Sequence, residues 1–169
     1  MTTPFVKWPG GKREQQQMIQ TQCFLGQSSP VDLFLEPFLG GGATLLQAVA
    51  DNRANVYVGA DLNAELVATW LAVQSQPSEL IAEIQTLADE HAALGPIAQE
   101  AYYYTVRDSP PPTLSVPARM IFLNRVGFNG MYRVNQSGVF NVPVGRRKSG
   151  PGWDTATRAI HDTGKLLLG

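Results

Sequence analysis

A glycine-rich turn between a strand and a helix is the feature that most constrains this chain. The segment 31–35 is short and mostly apolar, as expected for a buried strand, and it leads through Glu36 and Pro37 into Gly40–Gly42. Apolar residues then recur at helical spacing, at Leu45, Leu46 and Val49. The glycines therefore occupy a β-to-α turn, where the backbone can approach a ligand closely because glycine has no Cβ.

The acid in front of the glycines indicates which ligand this turn favours. Glu36 would repel a pyrophosphate, but it would attract a ligand that carries an ammonium or sulfonium group. The sequence does not match two known nucleotide-binding motifs. Leu45 replaces the last glycine of a dinucleotide-binding fingerprint, and Val6 and Arg13 replace two obligatory residues of a P-loop. The sequence therefore favours a site for S-adenosylmethionine (SAM).

A second strand is predicted at 55–60, after a helix at about 43–52, and these segments complete a βαβ unit. Asp61 ends the second strand about twenty residues beyond the glycines, where an acid can accept hydrogen bonds from ribose hydroxyls. The alternative is that Asp61 caps the helix that begins near Asn63.

Charge is distributed unevenly along the 169 residues, although the formal net charge is only −1. The segment 79–108 holds six acids and one base, whereas the segment 109–153 holds no acid and six bases. Such a basic stretch is typical of a surface that contacts phosphate groups, and the alternative is a solvated loop face without a ligand. The six bases are Arg119, Arg125, Arg133, Arg146, Arg147 and Lys148.

Helical periodicity and breakers divide the rest of the chain. The three tyrosines at 102–104 are predicted to pack rather than to stack on bases, because consecutive helical residues point in different directions. The predicted elements are two helices that end at Pro77-Ser78 and Gly95-Pro96, helices at 97–108, 116–125 and 154–163, a linker at 109–112 and a strand-like run at 165–168.

The segment 126–149 is rich in glycine, asparagine, aromatic residues and bases. Asn135–Gly138 lies between two short alternating runs, which predicts the turn of a β-hairpin. Such a hairpin suits the major groove of DNA, since asparagine can pair with adenine and arginine with guanine. Phenylalanine or methionine can wedge into a base stack.

Cysteine and histidine content argues against a metal site. Cys23 is the single cysteine, which excludes an intramolecular disulfide and a cysteine-based metal site. His91 and His161 lie far apart along the chain and are predicted to lie on helix surfaces. The chain lacks a membrane-length apolar run and a signal-peptide pattern, so a cytoplasmic protein is expected.

Four sequence blocks together resemble the Dam-type DNA adenine-N6 methyltransferases of the α order, in which the SAM region precedes the target-recognition domain and the catalytic motif. The resemblance implies transfer of a methyl group from SAM to adenine N6 in duplex DNA, with GATC as a candidate site, in a bacterial or phage-encoded enzyme. The blocks are 5–12 (Phe-Val-Lys-Trp-Pro-Gly-Gly-Lys), 36–42 (Glu-Pro-Phe-Leu-Gly-Gly-Gly), 60–63 (Ala-Asp-Leu-Asn), and 123–133 with 140–146.

The resemblance also implies roles for individual residues. In the SAM site, Lys12 would meet the carboxylate of the cofactor, Glu36 its cationic end and Asp61 its ribose. The other cofactor-binding candidates are Trp8, Gly10, Phe38, Gly40 and Gly42. The DNA-binding candidates are Arg125, Phe128, Asn129, Met131, Arg133, Pro143 and Arg146, with Arg147 and Lys148 expected on phosphates.

The catalytic loop of the family, an Asp/Asn/Ser-Pro-Pro-aromatic sequence, has no counterpart in the chain. The segment 108–112 (Asp-Ser-Pro-Pro-Pro) lacks the aromatic residue and precedes the hairpin, so we interpret it as a linker. No catalytic residue is assigned, and the chain is interpreted as the N-terminal part of the enzyme. The alternative function is a catalytically inactive fragment that binds DNA or SAM, or a split half that needs a C-terminal partner.

These patterns predict an α/β protein with an incomplete Rossmann-like SAM-dependent methyltransferase domain and a helical and β-hairpin target-recognition domain. The expected boundaries are 1–62 for the SAM-binding part, 63–150 for the recognition domain and 151–169 for the return to the methyltransferase domain. A sheet with few strands would expose an edge and an apolar face. We therefore expect self-association or binding of a C-terminal polypeptide.

Overall fold

The computed structural model describes residues 3–11, 16–23, 29–146 and 150–168. Lys12, Arg147 and Lys148, three of the predicted site residues, lie outside these ranges. The elements in chain order are α1 (Gln16–Cys23), β1 (Val31–Glu36), α2 (Ala43–Ala50), β2 (Ala54–Gly59), α3 (Ala64–Ser75), α4 (Pro77–Ala92), α5 (Pro96–Asp108), α6 (Val116–Val126), a 3-10 turn (Phe128–Gly130) and α7 (Trp153–Leu168).

The predicted βαβ unit is formed by β1, α2 and β2. The two strands pair in parallel, with Leu33 opposite Val56 and Leu35 opposite Val58. Side chains alternate between the faces of a strand, so these four residues share one face, and helix α2 packs on the sheet. The four apolar side chains are 41% to 55% exposed. The apolar face expected from the sequence is therefore open to solvent.

Helix α6 lies at the centre of the helical layer. It packs against α3, α4 and α5, and nearly all its residues from Ala118 to Val126 are buried. The Ser115 hydroxyl caps its N-terminus by accepting a hydrogen bond from the Ala118 N–H, and Pro117 occupies the first turn, where its missing N–H costs nothing. Phe122 stacks on Trp153 of α7 at 5.8 Å between ring centroids, so α6 also anchors the last helix.

The prediction of a strand-like run at 165–168 was wrong, because α7 continues as a helix through Leu168. Ala156, Ile160 and Thr163 are buried at helical spacing, and this amphipathic period extends into the leucines. A Cβ on Gly164 would lie 2.9 Å from the Val73 carbonyl oxygen, so glycine allows close packing of α7 on α3. The run contains no helix breaker, and leucine and lysine favour helices.

The prediction that His91 lies on a helix surface was also wrong. His91 is 7% exposed and packs against Phe122, with 5.7 Å between ring centroids. It continues the buried stripe of α4 that begins with Leu80, Ile84 and Leu87. Burial disfavours the charged imidazole, which lowers the pKa of His91. His161 is exposed, as predicted.

The middle of the three consecutive tyrosines is a core residue, which confirms the packing prediction. Tyr103 is fully buried, and its hydroxyl donates a hydrogen bond of 2.9 Å to the Val142 carbonyl oxygen. This bond ties α5 to the segment that returns from the hairpin turn. In the described parts of the chain, no helix combines the length and the apolar composition that a membrane span requires.

Candidate cofactor cleft and nucleic-acid interface

A cleft of about 730 Å³ opens at the carboxyl ends of β1 and β2. Its walls are the N-terminal segment 4–11, the glycine turn at 36–44 and Asp61. Ligands of α/β proteins bind at this edge of a parallel sheet, and the volume suits a small-molecule site. Trp8, Gly10, Glu36, Phe38, Gly40, Gly42 and Asp61, which are the described cofactor-binding candidates, all line the cleft.

Two tryptophans fix the glycine turn in a left-handed conformation. Gly40 and Gly42 have φ angles of 51° and 66°, which glycine adopts without strain. A Cβ on Gly42 would lie 2.3 Å from the Trp70 ring, and a Cβ on Gly40 would lie 2.7 Å from Trp8 Cδ1. The Trp70 indole also donates a 3.0 Å hydrogen bond to the Gly40 carbonyl oxygen. Any side chain at either glycine would disrupt this packing.

Glu36 faces the cleft and supports the helix behind it. Its Oε2 accepts a hydrogen bond of 2.9 Å from the Leu45 N–H in the first turn of α2. A carboxylate has capacity for further hydrogen bonds, so this contact does not prevent binding of a ligand. Burial raises the pKa of Glu36 from 4.5 to about 7, and the bond from Leu45 partly opposes this shift. The side chain therefore changes charge near neutral pH.

Asp61 connects the glycine turn to the start of α3. Its Oδ2 accepts from the Gly40 N–H at 2.9 Å, and its Oδ1 accepts from the Asn63 N–H at 3.0 Å. The N-cap of α3 is Asn63, whose side chain accepts from the Leu66 N–H. Asp61 is therefore not the helix cap that the sequence offered as an alternative. Both oxygens retain lone pairs for a ligand.

Buried polar side chains of α6 hold the N-terminal wall of the cleft. The Asn124 side chain exchanges two hydrogen bonds with the Lys7 backbone, at 2.9 Å and 2.8 Å. Arg125 Nη2 donates to the Phe5 carbonyl oxygen at 2.8 Å. Sequence patterns did not indicate these roles or the role of Trp70, because the contacts join residues far apart along the chain.

The predicted hairpin is present between Gly127 and Val144. Antiparallel bridges pair Gly127 with Val144 and Val134 with Phe140. The turn at Asn135–Gly138 is closed by the Asn135 side chain, whose Oδ1 accepts from the Ser137 and Val139 N–H groups. The hairpin adjoins the cleft, since Tyr132 stacks on Trp8 at 5.1 Å between ring centroids.

Most described DNA-binding candidates point outward from this hairpin. Phe128, Asn129 and Arg146 line a small cleft of about 300 Å³ at its base. Arg133 is exposed, and its guanidinium donates to the Asn141 side-chain and backbone oxygens at 2.8 Å and 3.1 Å. Met131 and Pro143 are also exposed.

Two bases of the acid-free stretch point inward. Arg125 is 7% exposed, which disfavours its predicted contact with DNA. Arg119 donates to the carbonyl oxygens of Val106 and Arg107, at 3.1 Å and 2.7 Å. The basic stretch is therefore partly structural, and a count of charges along the sequence overstated the surface available for phosphates.

Comparison with known proteins identifies the class of protein that this cleft and hairpin belong to. Residues 8–161 match the model of the D12 class N6 adenine-specific DNA methyltransferases. The match covers most of the chain, so the chain belongs to this family. Its described part contains both the cleft and the hairpin.

Individual relatives agree with the family assignment. The chain is similar to the type II methyltransferase M.MjaIII of Methanocaldococcus jannaschii, with 33% identity over 86% of this chain and 53% of that protein. It is also similar to the type II methyltransferase M.CviBI of Paramecium bursaria Chlorella virus NC1A (34% identity, 86% and 51% coverage) and to the DNA adenine methylase of Serratia marcescens (32%, 85% and 49%). The chain spans about half the length of these relatives.

The position of Glu36 predicts a dependence of stability on pH. Its pKa rises from 4.5 to about 7 on folding, so between these values the folded state binds more protons than the unfolded state. The free energy of unfolding should therefore fall as the pH rises from about 4.5 to 7. Urea unfolding of the wild type and of Glu36→Gln at several pH values isolates this component. Parallel curves for the two proteins would contradict the assignment.

Proposed function

We propose that the chain forms the SAM-binding and DNA-binding part of an enzyme that methylates N6 of adenine in duplex DNA. The observation that carries this proposal is the contact between the cleft and the hairpin in a chain of this family, where Trp8 lines the cleft and stacks on Tyr132. We propose a Rossmann-like SAM domain formed by residues 1–62 and 151–169, and a recognition domain formed by residues 63–150.

The chemistry of the cleft fits SAM. Positive-φ glycines let backbone approach the ligand, Asp61 offers oxygen acceptors for ribose hydroxyls, and ionised Glu36 favours the cationic end. Lys12 is proposed to meet the carboxylate of SAM. Bound SAM would supply the methyl group, and these residues would hold it in the cleft.

The exposed hairpin fits a DNA groove. Arg133 uses two of its five N–H donors on Asn141, which holds the guanidinium and leaves the other three for a base edge. Asn129 is proposed to contact a base, and the exposed Phe128 and Met131 are proposed to enter a base stack. Arg146, Arg147 and Lys148 are proposed to contact phosphates. We omit Arg125 from this set because it is buried.

Cofactor binding by Asp61 can be separated from its structural role. Asp61→Ala should weaken SAM binding by about 1–3 kcal/mol, because ribose hydroxyls lose a partner in the cleft. The control ligand is a SAM analogue without the two ribose hydroxyls, whose affinity should change much less on the same substitution. Calorimetry measures all four affinities. Equal losses for both ligands would assign Asp61 to the turn alone.

If Arg133 contacts a base, its removal should reduce the ability of the protein to discriminate between a GATC duplex and a scrambled duplex. Arg133→Ala should weaken binding to a GATC duplex by about 1–3 kcal/mol and leave a scrambled duplex nearly unaffected. Arg147→Ala is the comparison, since loss of a phosphate contact should weaken both duplexes and reduce the dependence on salt. Fluorescence anisotropy at several salt concentrations measures both effects. An equal loss on the two duplexes for Arg133→Ala would indicate phosphate anchoring.

A second candidate function is binding of SAM and DNA without catalysis, or catalysis only with a partner. It is favoured by the exposed apolar sheet face at Leu33, Leu35, Val56 and Val58, together with the fact that the chain spans about half the length of the relatives. We propose that a C-terminal polypeptide covers this apolar sheet face and supplies the hydrogen-bond acceptors for the adenine amino group.

Complementation tests this division of labour. Residues 1–169 alone should transfer no labelled methyl group from SAM to duplex DNA, and addition of the C-terminal half of a relative should restore transfer. Leu35→Lys should reduce the restored activity at least tenfold, because a charge would enter the covered face. The matched control is Leu71→Lys, since Leu71 on α3 is similarly exposed (58% against 55%) but lies off the sheet. Transfer by the chain alone would refute the partner requirement.

A further inference from the structure

The side chain of Asn124 joins two parts of the chain that the proposed function assigns to different ligands. Its Oδ1 accepts from the Lys7 N–H at 2.9 Å, and its Nδ2 donates to the carbonyl oxygens of Lys7 and Gly130, both at 2.8 Å. Lys7 lines the cofactor cleft, whereas Gly130 ends the 3-10 turn at the base of the hairpin. One amide therefore bridges the cleft wall and the hairpin.

This amide has no alternative arrangement in its surroundings. Asn124 is 4% exposed, both of its N–H donors and its oxygen are used, and the donor and acceptor groups of Lys7 fix which atom faces which. Rotation would place a donor against a donor in a buried site, at a cost of several hydrogen bonds.

Close packing reinforces the bridge on both sides. Gly130 has a φ of 66°, and a Cβ there would lie 2.8 Å from Lys7 Cδ and 3.0 Å from the Asn124 carbonyl oxygen. A few residues along, Trp8 of the cleft wall stacks on Tyr132 of the hairpin. We therefore expect a shift of the wall to displace the hairpin, because the Asn124 hydrogen bonds and the Trp8–Tyr132 stack join the two segments.

We propose that Asn124 is a positioning residue that makes cofactor binding in the cleft and DNA binding at the hairpin mutually cooperative. The inference rests on the proposed function, since it needs both ligands. A cofactor that orders the wall at Lys7 and Trp8 also orders Gly130 and Tyr132, so DNA then binds a hairpin that is already in place. Such coupling is reciprocal, because each ligand must change the affinity of the other by the same factor.

The test measures the coupling factor rather than either affinity alone. S-adenosylhomocysteine replaces SAM so that no transfer occurs, and a fluorescent GATC duplex reports DNA binding by anisotropy at low salt. Saturating S-adenosylhomocysteine should increase the affinity for DNA about tenfold in the wild type. Saturating DNA should increase the affinity for S-adenosylhomocysteine by the same factor. A residue that only supports the fold would lower affinities without changing this ratio.

Asn124→Asp is the decisive variant. It retains an acceptor for the Lys7 N–H but turns an oxygen toward the carbonyl oxygens of Lys7 and Gly130, so the bridge breaks with little change in volume. The coupling factor should fall below about twofold. A factor that stays near tenfold would overturn the inference.

A second pair of variants decides the matter if Asn124→Asp does not fold cooperatively. Tyr132→Phe keeps the ring on Trp8 and loses the hydroxyl contacts with Glu65 and Asn63, which do not join the hairpin to Trp8, so the coupling should persist. Tyr132→Ala removes the stack and should reduce the coupling factor several-fold. Equal coupling in these two variants would overturn the inference.

Measurements on the wild type distinguish failure of the coupling inference from failure of the proposed function. If it binds each ligand but shows no coupling, the inference fails and the proposed function stands. If it binds neither S-adenosylhomocysteine nor DNA, both fail.

Discussion

The geometry of both candidate sites depends on the polar contacts by which α6 holds the segment from Phe5 to Trp8. This segment has no regular secondary structure, so its backbone groups need partners from elsewhere. Asn124 and Arg125 supply them from the buried end of α6, through Lys7 and the Phe5 carbonyl oxygen. Removal of either side chain would leave buried polar groups unpaired, which costs more than the bonds themselves contribute.

The glycine turn depends on this anchored segment. Phe5 packs edge-on against Trp70 at 4.7 Å between ring centroids, and Trp70 contacts both Gly42 and the Gly40 carbonyl oxygen. Trp8 closes the other side of the turn at Gly40. The conformation of the glycine turn is thus set before a ligand arrives, because its left-handed backbone is held by packing that admits no Cβ.

Local patterns were sufficient to predict β1, α2, β2 and the order of helices α3 to α7, but they did not predict α1. Strand and helix periods differ, and prolines and glycines mark the ends. They failed at 165–168, where four residues are too few to separate a strand from the end of a helix. They also failed at His91, whose position in the buried stripe of α4 depends on Phe122 of α6.

Contacts of long range explain what the sequence could not predict about the candidate site. Asn124 and Lys7 are 117 residues apart, and Arg125 and Phe5 are 120 residues apart. The local periodicity of the sequence gives no information about such distant pairs. The sequence also does not show whether an arginine points inward, as Arg125 does, or outward, as Arg133 does. The fold alone determines which members of a basic stretch can meet a phosphate.

Glu36 and Asp61 hold the glycine turn through the carboxylates that are also proposed to contact the cofactor. Glu36 accepts from the Leu45 N–H, and Asp61 accepts from the Gly40 and Asn63 N–H groups. The Leu45 and Asn63 donors lie at the start of α2 and α3, where N–H groups lack helical partners, and the Gly40 donor lies in the glycine turn. A carboxylate suits both tasks because its oxygens accept several hydrogen bonds at once. Under the proposed function, ligand binding and folding would share Glu36 and Asp61, so a substitution at either acid should change both.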